Sequence, residues 1–147
     1  MKTKMLLIVL ALWAFSLLGC ASGVRYEMMA DRIPTVQEEQ GRIFFYCDRS
    51  PFGSAIHPIV WLNDQEVGRS VPGGFFYVDR PPGEYAVRCT TETNQTLTFI
   101  LAAGDVRYVR TVMTPGAFVG RVQPILEDEE QAMKILTKAA YIGDKVQ

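Results

Sequence analysis

The chain has 147 residues, 48% of them apolar and 21% charged, with 15 Lys+Arg against 16 Asp+Glu. This composition suits one globular domain and excludes a disordered or supercharged chain, and the net charge of -1 carries no signal for nucleic acid. Much of the apolar content lies in one block, residues 5–18, so the average overstates the core of the rest.

Lys2 and Lys4 precede MLLIVLALWAFSLLG, a run of 15 residues that ends in small residues before Cys20. A basic start, a short apolar stretch and a small-residue exit follow the order of a secretory signal peptide. The run falls short of the roughly 20 apolar residues that cross a bilayer, and no cationic stop-transfer flank follows, so cleavage is predicted. Leu17-Leu18-Gly19-Cys20 resembles the bacterial lipobox. That resemblance implies removal of residues 1–19, a diacylglycerol on the Cys20 thiol and an acylated new amino terminus. One chain anchors marginally, whereas two or three hold firmly. An aspartate after the cysteine resembles an inner-membrane retention signal of Gram-negative bacteria. Ala21 stands there instead, which points to the outer membrane of the cell envelope and to its periplasmic side. The mature chain of 128 residues carries a net charge of -3 and no further long apolar run, so the membrane is expected to be reached through the lipid alone.

Residues 20–40 show no sustained period and contain Pro34; they read as the lipidated terminus and a tether, with Tyr26, Met28, Met29 and Ile33 available to pack on the domain. From Gly41 onward, β-branched and aromatic runs alternate with Gly, Pro, Asn and Asp. Strands are predicted over 42–47, 59–62, 65–69, 75–79, 85–90, 97–101 and 106–113, with a short final one over 118–123. In the first, Ile43, Phe45 and Cys47 share one face and Phe44 and Tyr46 the other, and both faces read as covered. Asn63-Asp64 tolerates the left-handed backbone of a two-residue hairpin turn. The period then changes: after the acidic run at Glu127, the apolar residues Ala132, Met133, Ile135, Leu136, Ala139 and Ala140 recur at three and four, as on an amphipathic helix. Acids at its start, Lys134 and Lys138 later, and the Glu130–Lys134 spacing suit the helix dipole and an i,i+4 pair. The expected fold is mainly β. A small antiparallel β-sandwich over 41–126 is followed by a C-terminal helix and tail over 127–147, after a cleaved signal peptide and a tether.

The segment NDQEVGRSVPGGFFYVDRPPGEYAV, residues 63–87, resembles a family of bacterial lipoproteins built on one domain of unknown function. Asn63, Val67-Gly68, the Pro-Gly-Gly-Phe-Phe run from Pro72 to Phe76 and the Pro-Pro-Gly-Glu-Tyr run from Pro81 to Tyr85 carry the likeness. The latter run also looks like the turn and strand of PEGA-type surface sandwiches, modules that bind rather than catalyse. The resemblance implies location and fold and lends no catalytic residue.

No enzyme chemistry, cofactor or metal is expected. His57 is the single histidine, and Ser50, Ser54 and Ser70 lie outside any nucleophile elbow. Zinc needs convergent His or Cys ligands, and the acidic run from Glu127 lacks calcium-loop spacing. Gly73-Gly74 reads as a turn and not as a phosphate cradle, and the Asn94 sequon carries little meaning in a bacterial lipoprotein. Cys47 and Cys89, 42 positions apart, fit two readings, a disulfide or two buried thiols that never meet. Phe75 and Tyr77 point opposite to Phe76. With Trp61 or Tyr46 nearby, they fit either an aromatic surface for a glycan or an envelope protein partner, or a surface covered by the C-terminal helix. The helix needs an apolar surface, which favours the second.

Overall fold

The computed structural model describes residues 21–50, 57–91, 95–115 and 120–143. The signal-peptide block, Cys20, Ser54, Asn94 and the start of the predicted strand at 118 lie outside the described residues. Among the described residues nine strands form two sheets, β1 (Gly41–Cys47), β2 (Ile59–Leu62), β3 (Gln65–Arg69), β4 (Gly74–Arg80), β5 (Gly83–Cys89), β6 (Thr96–Leu101), β7 (Val106–Thr114), β8 (Arg121–Glu127) and β9 (Ala140–Tyr141). A short helix α1 (Tyr26–Met29) runs into a 3-10 turn (Ala30–Arg32), and α2 (Glu129–Leu136) separates β8 from β9.

One sheet has the order β8-β7-β1-β4-β9 and the other β3-β2-β5-β6. The larger sheet is mixed, because β1 runs parallel to β7 and β4 parallel to β9. The mainly β sandwich expected from the sequence is present, with these two parallel pairs added to otherwise antiparallel sheets. A hairpin connection enforces antiparallel pairing; β1 and β7, and β4 and β9, are joined by long connections that leave the parallel direction open, although β1 and β4, also joined by a long connection, pair antiparallel.

Period-two alternation sorts the side chains between two cores. Ile43, Phe45, Phe76 and Val109 of the larger sheet meet Val60, Leu62, Val87, Phe99 and Leu101 of the smaller one, with Phe45 and Phe76 rings stacked at 5.0 Å. Gly68 allows the sheets this close, since a Cβ there would lie 2.7 Å from the Phe76 ring. The opposite face of the larger sheet presents Phe44, Tyr46, Phe75 and Tyr108, and Ala132, Leu136 and Ala139 pack upon it. All seven residues of β1 are therefore buried, as the absence of a polar face in GRIFFYC implies.

The β2–β3 hairpin turns at Asn63 (φ 47°) and Asp64 (φ 62°), where a short polar side chain tolerates the left-handed region. Asn63 also ties the turn to β5, its Oδ1 accepting from the Ala86 N–H at 2.8 Å and its Nδ2 donating to the Glu84 carbonyl at 3.1 Å.

Helix α2 begins at Asp128, whose carboxylate accepts from the Gln131 N–H at 2.8 Å, and Lys134 reaches Glu130 at 3.2 Å. It ends sooner than its apolar spacing suggests. Ala139 and Ala140 lie beyond Leu136, and the Ala140 N–H donates to the Gly73 carbonyl at 2.8 Å, so the chain returns to the sheet as β9. Asp128→Ala removes the cap and is expected to lower stability by about 1 kcal/mol, read as a shift of the urea midpoint at constant slope.

Candidate functional site

The two described cysteines end strands in different sheets, Cys47 in β1 and Cys89 in β5, and both are buried free thiols. No bond joins them in the structure, yet they lie near enough for Cys47 to act electrostatically on Cys89. Cys47 shares hydrogen bonds with the hydroxyls of Ser70 and Thr111, which bond each other at 2.7 Å. Burial pushes the Cys47 thiol up, against those hydrogen bonds. Burial pushes Cys89 up to about 12, with Cys47 adding to the effect. Tyr108 is likewise pushed up to about 12, by burial and then by Glu129.

These shifts fix the direction of an alkaline dependence. Above about pH 9 the unfolded chain loses protons that the folded chain keeps, so stability falls as pH rises toward 12. Each such group contributes a slope of about 1.4 kcal/mol per pH unit. Under reducing conditions, Cys89→Ala is expected to flatten the fall between pH 8 and about 10.5 in urea titrations. An unchanged slope would show that Cys89 is solvated.

The three aromatics considered as one binding surface are not together. β2 pairs with β5, so Trp61, between the inward Val60 and Leu62, lies on the outer face of the smaller sheet. Phe75 and Tyr77 lie on the outer face of the larger sheet, across the sandwich. Phe75 has 0% exposure beneath Tyr26 and Tyr141. The Arg42 guanidinium sits 4.3 Å over the Tyr77 ring. Trp61 donates its Nε1–H to Thr90 at 2.7 Å and carries Arg88 at 4.8 Å over its ring, with Arg88 held by Asp64 at 3.0 Å. Each ring is already occupied by the protein's own side chains.

Two polar assemblies escaped the sequence reading. Arg42, outward on an otherwise apolar strand, grips Asp79 through Nε (2.6 Å) and Nη2 (2.7 Å) and gives Nη1–H to the Pro34 carbonyl at 2.7 Å. At the far end of β1, the Tyr46 hydroxyl donates to Glu127 at 2.5 Å, and Arg110 bonds both Glu127 (3.0 Å) and Asp48. Burial and then the Glu127 bond push the Tyr46 hydroxyl well above its ordinary range. The legible signal was Arg42 and Tyr46, the polar groups of a strand with no polar face.

The segment read as a tether is part of the domain. The Ala21 N–H donates to the Pro72 carbonyl at 3.2 Å, Tyr26 N–H to Ala139 at 3.0 Å, and Tyr141 N–H to Val24 at 2.8 Å, while Arg25 bridges antiparallel to Ala140. Tyr26 inserts edge-on between Phe44 (5.9 Å) and Phe75 (5.5 Å). Gly23 is required at the crossing, because any Cβ would collide with the Tyr141 carbonyl. Of the four apolar residues in this polar stretch, Tyr26, Met29 and Ile33 pack on the domain, whereas Met28 is exposed.

Beside this crossing is a groove of about 290 Å³, bordered by Asp48, Arg49, Gly73, Lys134, Lys138 and Ala139. Gly73 holds φ 71°, and a Cβ there would meet the Arg49 stem at 2.7 Å, so Arg49 lies directly over it. Arg49, Lys134 and Lys138 are exposed, and Asp48 is engaged by Arg110. Among the described residues no cluster of three His, Cys, Asp or Glu side chains could hold a metal ion.

A sequence profile of the family described as "Protein of unknown function (DUF2846)" matches residues 37–122. An uncharacterized protein of Haemophilus influenzae is 28% identical over 102 residues, which are 68% of this chain and 61% of the relative. No solved structure is significantly similar to the chain.

Proposed function

The chain belongs to the DUF2846 family, which brings no assigned activity, and from that premise we propose a lipid-anchored, non-catalytic binding or structural module of the bacterial envelope. The observation that carries this reading is the continuity of lipobox and fold. Cys20 closes Leu-Leu-Gly-Cys, and the next residue, Ala21, is already hydrogen-bonded to the Pro72 carbonyl. The outer membrane is the address favoured by alanine at position 21.

The state of the reactive side chains supports a non-catalytic role. The Ser70 and Thr111 hydroxyls satisfy each other, and burial drives both thiols and the Tyr46 hydroxyl away from ionisation near neutral pH. Asp79 and Glu127 are each engaged by an arginine. A glycan-stacking role has little support, because Phe75 is buried and the Trp61 and Tyr77 rings are faced by arginines. A second reading, an accessory subunit of an envelope complex, is favoured by one feature: β6 is a sheet edge and carries Ile100 at 69% exposure.

The test is expression of the full chain in a Gram-negative host, followed by membrane fractionation and intact mass. The wild type is expected in the membrane fraction, with the mass of residues 20–147 plus a diacylglycerol and an acyl chain. Cys20→Ala is expected to lose both the lipid and the membrane association. A wild-type chain with an unmodified Cys20 overturns the reading.

A further inference from the structure

We propose that the Pro72–Gly73 end of the sandwich lies flat against the bilayer surface and that Arg49, Lys134 and Lys138 contact the phosphates of anionic phospholipids. The proposal rests on the lipidation of Cys20 and goes beyond it, because an anchor alone leaves the orientation of a domain open.

Geometry removes that freedom. Consecutive Cα atoms across a trans peptide are about 3.8 Å apart, so Cys20 can lie no further than one peptide from Ala21. Ala21 is bonded to Pro72, and the residues that follow are bonded to Ala139, Thr137 and Tyr141, so one peptide, the Cys20 side chain and the glyceryl linker are all that would separate the acyl chains from the folded domain. Acyl chains inserted in the membrane would bring the surface around Pro72 and Gly73 to the headgroups.

That surface has the charge to suit them. Arg49 lies over Gly73, and Lys134 and Lys138 border the same groove, all three exposed. No carboxylate is paired with Arg49 or Lys138 among the described residues. The nearby acids include Asp48, engaged by Arg110, Glu130, paired with Lys134 through two exposed side chains, and Glu27, whose amide bonds Thr137 and whose carboxylate pairs with Arg25. Lys134 and Lys138 are two of the three lysines of the mature chain, and both border this groove. Basic side chains within a Debye length of an anionic leaflet are attracted to it in a salt-dependent way.

The test uses the full lipidated chain added to preformed vesicles, either phosphatidylcholine alone or phosphatidylcholine with phosphatidylglycerol, with acetylation of Lys134 and Lys138 by a membrane-impermeant reagent read by peptide mass spectrometry. On phosphatidylglycerol vesicles at low salt, both lysines are expected to react at least threefold more slowly than in neutral detergent, and high salt is expected to restore most of the rate. Gly23→Ala, which frees the crossing while retaining Cys20, is expected to abolish the protection. Equal rates on vesicles and in detergent overturn the proposal while lipidation stands. Protection that is the same on neutral vesicles and persists in salt overturns the anionic contact. Intact mass on the same sample reports lipidation separately; an unlipidated Cys20 overturns both.

Discussion

Asp79→Ala is expected to cost about 3–5 kcal/mol of folding stability, because it leaves Arg42 charged, buried and without its partner. The Arg42 side chain is 5% exposed and holds Asp79 in a bidentate fork at 2.6 and 2.7 Å. Its third contact, to the Pro34 carbonyl, fastens the segment that follows Cys20 to β1. Loss of the carboxylate should therefore loosen that segment as well as weaken the β1–β4 pair, in which Arg42 and Asp79 stand opposite each other. Replacing both partners removes the uncompensated charge, so Arg42→Met with Asp79→Ala is expected to recover a large part of the loss. Urea titrations of the two single variants and the double variant measure the coupling. A cost below about 1 kcal/mol for Asp79→Ala would mean that the pair behaves as a solvated surface bridge.

Phe75→Ala is expected to cost a further-reaching 3–5 kcal/mol, about the value for emptying a buried aromatic site. Phe75 has 0% exposure and touches three rings, Tyr26 at 5.5 Å, Tyr141 at 5.4 Å and Phe44 at 6.5 Å. Those partners come from the N-terminal segment, β9 and β1, so one side chain joins three distant parts of the chain. The resulting cavity cannot collapse easily, because the Phe75 backbone is fixed on both sides by β1 and β9. A ring that served as an exposed binding platform would give the opposite pattern, with stability unchanged and ligand lost. A urea midpoint equal to that of the wild type would restore that alternative.

The strands were legible where local chemistry decides them. The hairpin at Asn63-Asp64 falls at its expected positions because two left-handed residues in a row leave few other turns, and GRIFFYC could only be a strand covered on both faces. Which strands pair was not legible. Nothing in the periodicity of β1 and β7 indicates that they run side by side in parallel, and the separation of Trp61 from Phe75 follows from that pairing scheme. The end of α2 was misplaced for a related reason. Ala139 and Ala140 continue the helical spacing, but the open edge of β4 offers Gly73 and Phe75 backbone groups that capture Ala140 and Ile142 instead. The N-terminal segment looked like a tether because its apolar residues have no period of their own. They follow the shape of the groove between α2, β4 and β9 that receives them, which exists only once the sandwich has formed.

The arginines divide in the same way. Arg110 resembles in sequence an arginine that solvates a strand face, and Arg42 stands out only as the charge of an apolar strand, yet Arg42 latches Pro34 and Arg110 gathers Asp48 and Glu127. Their roles depend on partners 37 and 62 positions away, Asp79 for Arg42 and Asp48 for Arg110, and on Glu127 at 17.

Native-state hydrogen exchange on the membrane-extracted full chain tests most directly whether the residues after the lipobox belong to the domain. The Tyr26 amide, bonded to Ala139, and the Tyr141 amide, bonded to Val24, are expected to exchange on the same slow timescale as the amides of β1. Exchange at Tyr26 as fast as in an unfolded chain, with β1 still protected, would contradict this and return the segment to a free tether.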